Sequence, residues 1–150
     1  MYWAAIQVER GRHRAVQNNL LRLGHTHYLP LELRLVRKCR ASKAKELTEY
    51  PVIPDMVFVE WDLAKINRFL GTKYTVRPVV DQNEVVVRIP DNQIMLFAGR
   101  IDAWNEGVQK QYKRGLGVDR KARKAWQKMT LETLGSLSAV MFGQAGQEAA

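Results

Sequence analysis

His25 and His27 stand two residues apart in a stretch patterned as a strand, so their side chains share one face, the geometry a two-histidine metal site uses. A metal needs at least a third ligand, and the pattern supplies none, so both read as ordinary strand residues and no metal is expected. The one cysteine, Cys39, rules out an internal disulfide framework and a cysteine-rich zinc site. Its neighbours Arg37, Lys38 and Arg40 favour a thiolate, but no reactive partner accompanies it. Asp55, Glu60, Asp62 and Lys65 invite comparison with a nuclease, in which carboxylates hold Mg²⁺ and a lysine assists the attacking water. The compact acid-x-Lys spacing is absent, however; Asp62 suits a helix cap and Glu60 a strand end. The chain also lacks G-x-x-x-x-G-K-[ST], G-x-G-x-x-G and G-x-S-x-G, which disfavours nucleotide hydrolysis and acyl transfer. No catalytic residue and no cofactor is expected.

The basic residues carry more information. Lys and Arg total 24 against 15 Asp and Glu, a net charge of +9 at pH 7 that points to a polyanionic partner. Residues 1–50 hold ten basic and four acidic side chains, residues 51–105 six and seven, and residues 106–150 eight and four, so two basic ends flank a near-neutral middle. Arg10, Arg12, Arg14 and Arg22 cluster on or before a first helix, Arg37, Lys38, Arg40, Lys43 and Lys45 crowd a first long loop, and the tail carries a third run from Lys110 to Lys124. Three such runs on a small protein favour phosphate contacts.

The elements that must position these residues follow from periodicity. Tyr2–Val8 reads as a strand, and Val16, Leu20 and Leu23 set a helix that Gly24 closes. His25–Leu29 and Leu31–Val36 read as strands, with Arg37–Lys45 a loop or hairpin tip. Met56–Trp61 is the strongest strand, and Asp62 caps a helix through Leu70 with Leu63, Ile66 and Phe69 on its apolar side. Thr75–Val80 and Glu84–Arg88 are expected to form a hairpin, and Pro90-Asp91 to open a helix bearing Ile94, Met95, Phe97 and Ala98. This order predicts an α+β fold, a mainly antiparallel sheet flanked by helices. The expected organisation is a domain over residues 1–104, a basic linker over 105–118, a helical tail over 119–142 and a frayed end over 143–150. At 150 residues, 46% hydrophobic, the chain can bury one core. No run approaches the roughly 18 apolar residues of a membrane span and no leader is evident, so a soluble, cytoplasmic protein is expected.

Several phrases together resemble the N-terminal domain of the NusG/RfaH (Spt5-like) transcription elongation factors. These are the opening strand with Trp3, Arg10-Gly11-Arg12 before a basic helix, Tyr28-Leu29-Pro30, the basic hairpin, Ile53-Pro54-Asp55-Met56-Val57-Phe58-Val59-Glu60, and Ile89-Pro90-Asp91. The likeness spans about residues 2–104 and implies a non-enzymatic, monomeric factor that rides on RNA polymerase near the nucleoid, promotes elongation or antitermination, and needs no membrane. It implies that Gln7, Ile53, Met56 and Phe58 lie where the family binds the clamp helices of the largest subunit, and that Asn67, Arg68 and Phe69 reach the opposite wall of the cleft. It places Asn19, Arg22 and Lys73, with Arg10 beside them, toward upstream or non-template DNA, and the basic runs add Arg12, Arg14, Arg37, Lys38 and Arg40 as expected nucleic-acid contacts. The family's usual C-terminal barrel (KOW) has no counterpart here. The basic helical tail is expected either to fold over the clamp-binding patch, as in RfaH, or to add a phosphate-binding arm.

Overall fold

Small residues let helices approach a strand from both sides, and the first strand shows why this fold is built as it is. In Tyr2–Val8 (β1), Ala4 and Ala5 are completely or almost completely buried on opposite faces, with Trp3, Ile6 and Val8 also buried. A strand covered on both faces belongs at the centre of a sheet. The computed structural model describes residues 1–41 and 43–148, with side chains described through residue 135. In it β1 pairs antiparallel with Met56–Glu60 (β5) on one edge, and on the other with Thr75–Pro78 (β6) and Ile89–Pro90 (β7). His27–Tyr28 (β2) lies beyond β5, giving the order β2-β5-β1-β6.

Period-2 alternation divides the interior. Ala4, Ile6, Val8, Val57 and Val59 face one side, where His13–Leu23 (α1) contributes Val16 and Leu20, and Leu63–Leu70 (α2) contributes Ile66 and Phe69. Trp3, Ala5 and Phe58 face the other, against Ile94, Phe97 and Ile101 of Asp91–Lys113 (α3). Gly24 closes α1 at φ 64°, as expected of a C-terminal glycine. Asp62 caps α2 by accepting the Lys65 N–H at 3.1 Å, and Lys65 Nζ pairs with Glu60 at 3.2 Å. Those two carboxylates are therefore engaged in local structure, as their spacing suggests.

Leu31–Arg37 (β3) and Lys45–Pro51 (β4) form a separate hairpin, in register from Leu31↔Pro51 to Arg37↔Lys45, and the basic run is its tip. Within β3 the inward residue is not one of the half-buried leucines but Glu32, 8% exposed. Its carboxylate is satisfied on both oxygens: Arg34 donates to Oε1, and the Trp126 indole N–H donates to Oε2 at 2.5 Å. The hairpin is tied to α3 by Asn105, whose Oδ1 accepts the Leu33 N–H at 2.8 Å and whose Nδ2 donates to the Leu31 carbonyl at 2.9 Å. One side-chain amide thus does for β3 what a neighbouring strand would do.

Three expectations change. The hairpin expected over residues 75–88 is reduced to β6 and a single bridge, Val80↔Val86, because Asp81 Oδ1 accepts the N–H groups of Asn83 and Val85 and turns the chain early. The linker expected from residue 105 is helical through Lys113, because Val108 continues the buried stripe of Ile94, Phe97 and Ile101. Only the connection before the next helix is irregular: Gly115 at φ 70° bonds back to the Tyr112 carbonyl and Leu116 to that of Gln111, closing α3. The last helix, Arg120–Glu148 (α4), extends past the residue at which fraying was expected, and residues 149 and 150 lie outside the described residues. Trp126 of α4 enters the α3-side core, where it stacks on Trp104 at 5.2 Å and 3°.

Candidate functional site

The α3-facing side of the sheet brings together residues that sequence separates by half a domain. Gln7 and Met56 are cross-strand partners of β1 and β5 and so project from the same face. Ile53, just ahead of β5, and Met56 are both half-buried and pack against the Trp3–Phe58–Phe97 core. Gln7 Oε1 accepts a hydrogen bond from Arg77 of β6 at 3.1 Å, which sets a guanidinium beside this apolar corner. Tyr28, opposite Phe58 in β2, completes the face, and its phenol is pushed to high pKa by burial, with the negative charge of Asp102 adding to it. Met129 and Leu134 of α4 pack against the same core, so the helical tail and the Ile53–Met56 corner share one apolar cluster.

A second, polar constellation forms where α1 and the start of β6 meet. The Arg12 guanidinium lies 5.0 Å and the Lys73 ammonium 5.1 Å from the centre of the Tyr74 ring. Asn19 Nδ2 donates to the Lys73 carbonyl at 3.2 Å, and Arg22 donates to Asn19 Oδ1 at 3.1 Å. Tyr74 holds φ 75°, a backbone state uncommon for a side-chain-bearing residue. The Tyr74 ring is half-buried against the α1- and α2-side core, and the two exposed cations over it are placed to meet phosphates. Arg10 is exposed beside Gly11 and Arg12, and Arg14 lines a cleft with Leu31 and Glu49 at the base of the hairpin. From that base, β3 carries Arg37, Lys38 and Arg40 roughly 20 Å away at about 3.3 Å per residue.

Against this geometry, the protein-family model described as transcription termination factor nusG matches residues 1–98. The chain belongs to the NusG family. Membership makes it a transcription factor, and the matched stretch holds the whole sheet, α1, α2 and the first turns of α3. None of the curated proteins compared matches the chain closely enough to count as a relative. The rest of α3 and all of α4 lie beyond the NusG match.

The residues that the NusG resemblance singles out fall into distinct groups. Gln7, Ile53 and Met56 are adjacent and partly accessible. Phe58 is not a surface group: it is completely buried, edge-on to Phe97 with ring centres 6.5 Å apart, because its face of β5 lies under α3. Phe69 is likewise completely buried, against His25 at 6.3 Å, while its neighbours Asn67 and Arg68 are exposed on α2 at the opposite face of the sheet. Arg12, Asn19, Arg22 and Lys73 come together, whereas Arg37, Lys38 and Arg40 stand apart at the hairpin tip. Tyr74 was not anticipated from sequence, although an aromatic directly after Lys73 in an otherwise basic neighbourhood is a readable signal.

His25 and His27 have structural partners. His25 Nε2 faces the Glu60 carbonyl at 3.0 Å and His27 Nδ1 the His25 carbonyl at 2.9 Å, so each of these nitrogens carries the proton. Burial lowers the His25 pKa, and its other nitrogen, Nδ1, has no partner among the described residues. No group of three or more His, Cys, Asp or Glu side chains converges to hold a metal among the described residues.

Proposed function

We propose that this NusG-family protein is an elongation factor that docks on the clamp helices of the largest RNA polymerase subunit through the corner formed by Gln7, Ile53 and Met56. The observation that carries the reading is the register of β1 on β5, which sets Gln7 beside Met56 and leaves both accessible in part. Phe58 supports that corner from beneath and offers no side chain to a partner. The exposed Asn67 and Arg68, mounted on the far face, suit contact with the opposite wall of the cleft. The Arg12–Tyr74–Lys73 constellation with Asn19 and Arg22 suits an exposed non-template strand, the ring holding the two cations that meet phosphates.

The mechanism is bridging. A factor that binds the closed clamp better than the opened one stabilises processive elongation by that difference in affinity, and makes or breaks no covalent bond. On this reading the factor promotes antitermination. Since α4 packs on the same cluster as Ile53 and Met56, polymerase docking and tail docking compete for neighbouring apolar surface. Retention of the protein by immobilised clamp helices tests the proposal. Met56→Asp, which places a charge on the partly accessible corner, is expected to abolish retention in a protein that still melts cooperatively. Equal retention of Met56→Asp and the unmodified protein sinks the reading and leaves a free-standing nucleic-acid-binding protein.

A further inference from the structure

The basic tail lies outside the NusG match, yet the fold carries its start to the tip of the β3–β4 hairpin. A cleft of about 330 Å³ is lined by Lys43, Ala44 and Lys45 on one side and by Tyr112, Gly115 and Leu116 on the other. A Cβ added at Gly117 would stand 3.6 Å from Lys45 Nζ. Two basic runs separated by some 70 residues of sequence therefore meet at one corner: Arg37, Lys38, Arg40, Lys43 and Lys45 from the hairpin, Lys113 and Arg114 from the end of α3.

All seven of these side chains are exposed, and among the described residues none makes an ion pair or a side-chain hydrogen bond. One turn back, Lys110 is the first to find a carboxylate, Glu106 at 3.9 Å. Like charges gathered without counterions repel, and the negative end of the α3 dipole offsets only part of that repulsion. An external polyanion would relieve it by neutralising the cations and releasing its own condensed counterions.

We propose that the hairpin tip and the α3–α4 corner form one surface that binds the phosphate backbone of duplex DNA. The proposal rests on the nucleic-acid reading of the hairpin above and extends it to the tail. Three features select the duplex. The two halves are fixed relative to one another by the Asn105 bonds and the Trp126–Glu32 bond, and cations at fixed spacing suit a stiff rod of regular charge. A single-strand reader needs several stacking platforms, and this cleft offers one ring, Tyr112. A helix lying on lipid needs a continuous apolar face, and here only Leu116 among the cleft residues is a largely exposed aliphatic side chain.

The test is fluorescence anisotropy of the full-length protein with a labelled DNA duplex across a salt series, without polymerase. Lys113→Gln with Arg114→Gln is expected to weaken binding and to reduce the slope of log K against log salt by about 1.8, two lost contacts at about 0.9 each. Lys43→Gln with Lys45→Gln should do the same, and the four changes together should remove about 3.6. Because all four side chains are exposed, unpaired and mutually repelling, the melting temperature should not fall. An unchanged slope for the Lys113 and Arg114 pair overturns the proposal. So does a larger loss on single-stranded DNA, on duplex RNA or on phosphatidylglycerol vesicles than on duplex DNA. Should Arg12→Gln with Lys73→Gln abolish binding while the corner variants leave it intact, the corner is dismissed and the α1 constellation stands alone.

Discussion

Replacing Trp126 with alanine should release α4 from the sheet while leaving the sheet itself folded. The indole is 6% exposed, stacks on Trp104, and donates to a Glu32 carboxylate that is itself buried. Truncating a buried aromatic costs about 3–5 kcal/mol, and a buried acceptor deprived of its donor adds about 1–3 kcal/mol. Water entering the gap returns some of the second contribution, since Arg34 still holds the other oxygen. A net loss of about 4 kcal/mol follows. Against it, α4 retains the Arg100–Thr133 bond at 2.5 Å and the half-buried Met129 and Leu134, which together are worth less than Trp126. Four kcal/mol corresponds to roughly a thousandfold change in an equilibrium. Amide hydrogen exchange should therefore accelerate by that order along α4 and far less in β1. Trp126→Phe, which keeps a ring but lacks the donor, should fall between the two. Unchanged α4 exchange in Trp126→Ala, or equal acceleration of α4 and β1, would show that Trp126 does not fasten the tail.

Other expectations are simpler. Phe58→Ala should destabilise the protein by about 3–5 kcal/mol in a denaturant titration, since it empties a core position under α3; a loss below about 1 kcal/mol would mean the ring is not packed there. Asp62→Ala should cost about 1 kcal/mol by removing the cap of α2, and Asp62→Asn should recover most of it. Burial holds the His25 pKa below the ordinary imidazole value of 6.5, so as the pH falls the unfolded chain binds its proton first. Stability is accordingly full above pH 6.5 and declines as the pH falls below it toward the folded value, a decline that His25→Gln should flatten in melts taken across that range. Tyr74→Ala, which removes the ring beneath the Arg12 and Lys73 cations, should weaken single-stranded DNA binding in anisotropy titrations, and Tyr74→Phe should not.

What could be seen in the sequence was local. The alternation in Tyr2–Val8, the β-branched run of Met56–Glu60 and the Asp62 cap each declare themselves within a few residues, and each stands where expected. What escaped depends on distant partners. β4 reads Lys-Glu-Leu-Thr-Glu-Tyr-Pro, with no buried face of its own, and is a strand because β3 pairs with it. Glu32 is buried because a tryptophan 94 residues later donates to it, which no pattern within β3 announces. The length of α3 was obscured by Asn105 and Gly107, polar and flexible residues that suggest a loop, although Asn105 is the clasp of the hairpin. Alternation established that Met56 and Phe58 share a face, but only α3 decides that Phe58 is covered and Met56 reached in part.

The Asn105 clasp also bears on solubility. A hairpin standing apart from the main sheet has two open edges, and an open edge is a template on which another chain can add a strand. On β3 the carbonyl of Leu31 and the N–H of Leu33 are already occupied by Asn105. The side chain blocks the edge where the leucines of β3 would otherwise invite a second copy, and the lysine-rich tip discourages sliding from the far end. A residue that looks like a helix's polar surface thus guards the molecule against its own aggregation.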